Sequence, residues 1–295
     1  MTLATRVAAS LSREVDPAVC AFARLLGEEA GALAVLFYGS NLRTGELDGV
    51  LDFYVLTGEA AERRLWPTVS YREWEHEGRT LRAKIATMTL AKFAGAARGE
   101  TRDTTIWARF VQPSALVWSD GTGTSAVRES IASATVTASA LAVALGPAKG
   151  SEDDYWRALF RATYRAEFRV EKAGREDSIL SLNAAHFDGL LPAALDAAGI
   201  AYMRDGDAIM PQLTVHSRSR ILGKWRRWRR WGKPLNIARL LRAARTFDGA
   251  GRYAAWKVER HTGVAVALTP WREAHPLLAA PGVLWRVWRQ KRHDC

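Results

Sequence analysis

Leu36-Phe37-Tyr38-Gly39-Ser40 is an apolar run that ends in a Gly-Ser pair; after eleven intervening residues, Asp52-Phe53-Tyr54-Val55-Leu56 opens a second apolar run on a carboxylate. If the two runs are neighbouring strands, the turn and the acid meet at one edge of the sheet. Gly39 lacks a Cβ, so its backbone can approach a phosphate oxygen closely or take a positive φ. The Ser40 hydroxyl and the amides after it can donate to phosphate oxygens. Asp52 offers a hard oxygen ligand to magnesium, which would polarise a phosphoryl group and offset its charge. This set suits a nucleoside triphosphate with its metal. An ordinary hairpin explains the same residues without a ligand, because Gly-Ser and Asp48-Gly49 are both common turn pairs.

The Gly39-Ser40 turn followed by a strand with Asp52 resembles the nucleotidyltransferases related to DNA polymerase beta, in which an Asp-x-Asp pair is usual; Val50 stands at the first acid's position. The order of segments also resembles the mitochondrial translocator-maintenance type of phosphatidate cytidylyltransferase, which carries a Tyr-Gly-Ser turn and a Leu-Asp-Phe strand with one Asp. Three further pieces carry that likeness: Leu81-Arg82-Ala83-Lys84-Ile85-Ala86, the stretch from Ile106 through Arg109 and Gln112 to Ser114, and Ala162-Thr163-Tyr164-Arg165-Ala166-Glu167-Phe168-Arg169-Val170. The likeness spans roughly residues 33 to 180. It departs at Gln112, where the family has Lys, and at Glu167, where it has Asp. The resemblance implies a magnesium-dependent transfer from CTP to phosphatidic acid. Gly39, Ser40, Lys84 and Arg109 would hold the nucleotide, and Asp52 the metal, with Glu167 or Asp48 as its second ligand.

The residues bear these roles on chemical grounds, each against a plainer alternative. Lys84 alternates with apolar neighbours on an expected central strand, where a buried ammonium needs an anion beside it; the alternative is a lysine at a wet sheet edge. Arg109 could grip a phosphate through two donors, or simply be solvated. Arg161, Arg165 and Arg169 share one helical face and Glu167 and Glu171 another. That helix could instead be a surface helix held by weak ion pairs, and Asp177 a cap for the next one. None of the six histidines forms a metal-binding spacing.

From Arg218 to Arg245 there are eleven Lys or Arg residues and no acid. Trp225, Trp228 and Trp231 recur every three residues, with Arg226, Arg227, Arg229 and Arg230 between them. A helix of this composition suits the interface of an anionic membrane. Stacking on single-stranded nucleic acid, less favoured here, also suits it, as does a core role for the tryptophans with the arginines solvated. Trp285 and Trp288, beside Arg286 and Arg289, repeat the pattern.

The positioning elements follow from periodicity. Helical spacing runs over Ala18–Leu26, Thr89–Ala97 and Glu59–Trp66, and strand patterns over Leu33–Phe37, Val50–Leu56 and Leu81–Thr87, the last expected beside Leu116–Trp118. Asp120-Gly-Thr-Gly-Thr124 reads as a linker. Helices are expected over Val127–Leu145, Asp153–Lys172, Ser178–Ala198, Leu235–Phe247 and Arg252–His261, with Pro211–Val215 extended. The expected class is α+β: a mixed-sheet nucleotidyltransferase-like domain over residues 1–120, then a mainly helical domain over 125–295. At 295 residues, 48% hydrophobic and 25% charged, the chain is of folded composition. Two cysteines argue against a disulfide framework. No apolar run of spanning length and no signal-like start are seen, so a cytoplasmic place, peripheral at the inner membrane face, is expected. The net charge of +11 calls for an anionic partner without naming it.

Overall fold

The computed structural model describes residues 1–58, 66–166 and 175–246, with scattered positions from 251 to 285. Helices α1 (Leu3–Leu11) and α2 (Pro17–Glu29) lead into strand β1 (Ala32–Tyr38), the one-turn helix α3 (Ser40–Thr44) and β2 (Val50–Thr57). Strands β3 (Thr68–His76) and β4 (Arg79–Thr89), helices α4 (Leu90–Ala97) and α5 (Thr105–Phe110) and strand β5 (Ser114–Ser119) complete the first part. Next come α6 (Thr124–Leu145), α7 (Glu152–Ala166), α8 (Arg175–Leu182), α9 (Ala184–Phe187) and α10 (Leu190–Ala197). A hairpin of β6 (Tyr202–Asp205) and β7 (Ala208–Pro211) precedes the long helix α11 (Val215–Thr246). The architecture is thus α+β, a mixed sheet followed by a largely helical region.

The sheet order is β3-β4-β2-β1-β5. Only β2 and β4 run parallel; the other pairs are antiparallel. β1 and β2 lie inside the sheet and are apolar on both sides, which is why their sequences read as unbroken apolar runs. On one face Val35, Phe37, Phe53, Val55 and Ile85 meet Val19, Phe22 and Leu26 of α2. On the other, Leu36, Tyr38, Tyr54, Leu56, Ala86 and Met88 join α1 and α4 to α7 in one core that continues into the helical region. Side chains alternate along a strand, so Asp52 and Lys84 share this second face with Tyr54 and Ala86.

Several expectations need correction. Leu81–Thr87 does not pair with Leu116–Trp118: β4 lies between β3 and β2, and β5 is on the far side of β1. The polar edge strand β3 gave no apolar run, and it turns into β4 through Glu77 and Gly78, whose φ values of +50° and +74° make a two-residue hairpin turn. Ser178–Ala198 is three helices. The Asn183 amide donates to the Ile179 carbonyl at 2.7 Å, and Gly189, at φ +67°, turns the chain into α10. Pro211–Val215 is not an isolated extended piece, since Pro211 closes β7 and Val215 opens α11. Leu235 starts no separate helix, because α11 runs through Pro234. Glu59 to Leu65, Glu167 to Lys172 and most of Arg252–His261 lie outside the described residues.

Candidate active site

The Gly-Ser turn and the carboxylate do meet. Tyr38, the last residue of β1, is in register with Asp52 on β2. Gly39 then takes φ +94°, and a Cβ placed there would stand 3.0 Å from Asp52 Oδ2. Any side chain would therefore be strained and would press on the carboxylate. The following loop is closed over Asn41, whose amide donates to the Glu46 carbonyl at 2.8 Å. Ser40 is exposed, its hydroxyl directed to Asn41 Oδ1 at 3.3 Å.

One row crosses the sheet here: Tyr71, Lys84, Asp52, Tyr38 and Ser114 are in register on successive strands. Lys84 Nζ stands 3.9 Å from Asp52 Oδ1, with 40% of the lysine side chain and 26% of the aspartate side chain open to solvent. The expectation of a buried Lys84 is thus corrected: it is partly open to solvent in the middle of the interior strand β4, with Asp52 as one of its partners. Burial among protein atoms pushes the Asp52 carboxyl above the ordinary aspartate range. The Lys84 and Arg109 charges and a hydrogen bond from the Tyr38 hydroxyl oppose that rise. The carboxylate is therefore held at a mouth with too little solvation for its charge.

Arg109, on α5, donates from Nη1 to the Tyr54 hydroxyl at 3.1 Å and lies over the Tyr38 ring at 5.2 Å. The buried Tyr54 phenol is shifted upward by desolvation, with Arg109 and Arg239 acting against it, so it is a neutral hydroxyl that accepts from Arg109. Arg239 comes from α11, far along the chain. It covers the Trp66 ring at 4.7 Å, donates to Thr105 Oγ1 at 3.0 Å and pairs with the buried Asp103. Lys92 Nζ lies 5.8 Å from the same indole ring. Lys84 and Arg109 are thus the charges that act on the Asp52 carboxylate, while Arg239 and Lys92 flank the Trp66 ring.

Asp48 is exposed, in a depression lined also by Asp16, Arg79 and Arg82. Glu167 and Glu171 lie outside the described residues. Trp225 and Trp228 do not form an exposed stripe: each is only 5% exposed. Trp228 donates from Nε1 to the Thr101 carbonyl at 2.9 Å, and its ring lies 5.0 Å from that of Trp107. A three-residue repeat drifts around a helix of 3.6 residues per turn, so Trp231 has rotated outward to 41% exposure, with Arg102 over its ring. Arg226, Arg227, Arg229 and Arg230 are exposed.

Sequence reading missed Tyr38, Tyr54, Trp66 and Arg239. The two tyrosines were legible, since Tyr54 has the strand parity of Asp52 and Tyr38 directly precedes the glycine. Arg239 carried no local signal, because only the docking of α11 brings it to the sheet. Among the described residues no three His, Cys, Asp or Glu side chains gather as a metal site, and no helix is long and apolar enough to cross a membrane. No protein-family model matches the chain, and a search among curated proteins finds no matching relative.

Proposed function

We propose that the chain is a nucleotidyltransferase that moves a nucleotidyl group from a nucleoside triphosphate to a phosphate-bearing acceptor. CTP and phosphatidic acid are the pair to which the sequence resemblance points. The observation that carries the reading is the contact of Gly39 with Asp52, 3.0 Å from a would-be Cβ to Oδ2, with Lys84 and Arg109 as the cations acting on that carboxylate. A polymerase-beta-like fold for the sheet region is part of the same proposal.

The chain's residues divide the work as follows. The Gly39 backbone makes room for a phosphate beside Asp52. Asp52 would hold magnesium through one carboxylate, with Glu167 or Asp48 as candidate second ligand and the triphosphate's oxygens and water supplying the rest. When bound, that ion neutralises charge on the phosphoryl group. Lys84 and Arg109 offset the repulsion between two anionic reactants, and Tyr38 and Tyr54 fix the positions of Asp52 and Arg109. A phosphate acceptor is already ionised near neutral pH, so in-line attack on the α-phosphorus needs no strong general base. Pyrophosphate leaves as the P–O bond to the acceptor forms.

The test is magnesium-dependent pyrophosphate release with each of the four ribonucleoside triphosphates, with and without phosphatidic acid vesicles. Release with CTP that requires the lipid supports the full reading. Release with another pair keeps the reaction class and changes the substrates. A second reading, binding without turnover, is favoured by Val50, which stands where the related enzymes carry the first acid of the pair. It predicts CTP binding by calorimetry with no pyrophosphate from any mixture.

A further inference from the structure

Phe110, whose ring packs on Tyr38 and Tyr54 at 5.7 and 5.2 Å, also lines a separate cavity of about 390 Å³. That volume is at the low end for small-molecule sites. Arg6 of α1 and Arg13, just after that helix, reach it, and Ile131 of α6 and Leu190 of α10 supply apolar wall. The Arg6 guanidinium is seated against Gly189, where a Cβ would come within 2.4 Å of Nη2. Its Nε is buried with no hydrogen-bond partner. Among the described residues Arg13 donates only to Ser10, at 3.1 Å to the carbonyl and 3.4 Å to the hydroxyl. Asp188 lines the cavity too, yet among the described residues neither arginine forms an ion pair with it or with any other carboxylate.

The remaining titratable wall adds no negative charge. His186 Nε2 lies 2.9 Å from the Val111 carbonyl, which can only accept, so this nitrogen carries the proton. Burial lowers the ring's pKa to about 4, with the Arg13 and Arg6 charges acting in the same direction. Two half-buried guanidiniums thus face one lining carboxylate, Asp188, with which neither is paired, and the wall keeps an excess of positive charge.

We propose that this cavity binds a small organic anion, a phosphate or carboxylate on a compact apolar body. Arg6 and Arg13 hold the charge, and Phe110, Ile131 and Leu190 enclose the body. The site is separate from Asp52 and does not rest on the proposed reaction.

Isothermal titration with butyl phosphate, butyrate and butanol tests it on the full chain. At least one anion binds, butanol binds at least tenfold more weakly, and the tighter anion identifies the phosphate or the carboxylate class. Arg6→Gln weakens that anion at least tenfold, while Arg226→Gln, which removes one exposed positive charge, leaves it unchanged. Among the described residues the Arg6 side chain makes no hydrogen bond, so its replacement removes none of those bonds. As a check independent of variants, the wild-type melting point rises with the anion and not with butanol. The proposal is overturned if neither anion binds at millimolar concentration, if butanol binds equally well, or if the two variants weaken binding alike.

Discussion

In the proposed reaction Asp52 would serve chemistry at the expense of the fold. Its carboxyl is raised above the ordinary range, chiefly by burial, so the folded state disfavours the charged form. Stability linked to this group is full below the ordinary aspartate pKa and declines as pH rises through the elevated folded value. Asp52→Asn should therefore melt higher than wild type at neutral pH, with the difference closing as pH falls into the carboxylate range. The same variant should lose turnover by at least about a hundredfold, since its metal and phosphate chemistry goes with the charge. Paired thermal melts and pyrophosphate assays measure both effects, and a variant that is neither more stable nor less active would remove Asp52 from the site. Lys84→Met should weaken triphosphate binding by roughly ten- to a hundredfold, the worth of one charge-assisted hydrogen bond, with little change in melting because the lysine is 40% open. Gly39 and Asp52 were legible in the sequence because a turn glycine and a strand-opening acid are local signals. The solvent-exposed setting of Lys84 was not, because parity along a strand gives the face and not the depth.

At the scale of elements, β1 and β2 were readable because burial on both faces leaves continuous apolar runs. β3 was hidden because an edge strand exposed on one side can be polar at most positions. The tertiary fasteners were hidden for another reason, which is that they join elements distant in the chain. Arg239 and Asp103 tie α11 to the start of α5, with side chains 15% and 5% exposed. Asp103→Ala should cost about 3–5 kcal/mol by leaving a buried guanidinium unpaired. Adding Arg239→Met should recover much of that loss, and denaturant unfolding of both variants checks it. Trp228, wedged between Trp107 and the Gly99 backbone, should cost about 3–5 kcal/mol when replaced by Ala. Trp231→Ser, at an exposed site, should cost far less. Equal losses at the two positions would contradict the inward rotation of the first two tryptophans.

The whole molecule carries a net charge of +11, and α11 concentrates part of it in the exposed Arg226, Arg227, Arg229 and Arg230. The sequence placed charge and tryptophan together in one stripe. The fold divides them, because a helix must spend one side on the core and the repeat of three turns Trp225 and Trp228 to that side. Attraction of this helix to an anionic surface would then rest on the arginines with Trp231 alone, not on deep insertion of three indoles. Electrostatic adsorption is worth about 1 kcal/mol per basic residue near an anionic leaflet, and salt screens it over a Debye length of roughly 8 Å at physiological ionic strength. Changing all four arginines to Gln should weaken binding to vesicles rich in phosphatidic acid by roughly two to three orders of magnitude at low salt. Trp231→Ser should have a smaller effect that persists as salt rises, because burial of an indole in the interface is not screened. Liposome co-sedimentation at low and physiological salt separates the two contributions. Unchanged binding by the four-Gln variant would release α11 from any membrane role and leave its charge to a different anionic partner, while CTP binding in the Asp52 cleft should be the same in both variants, since neither touches it.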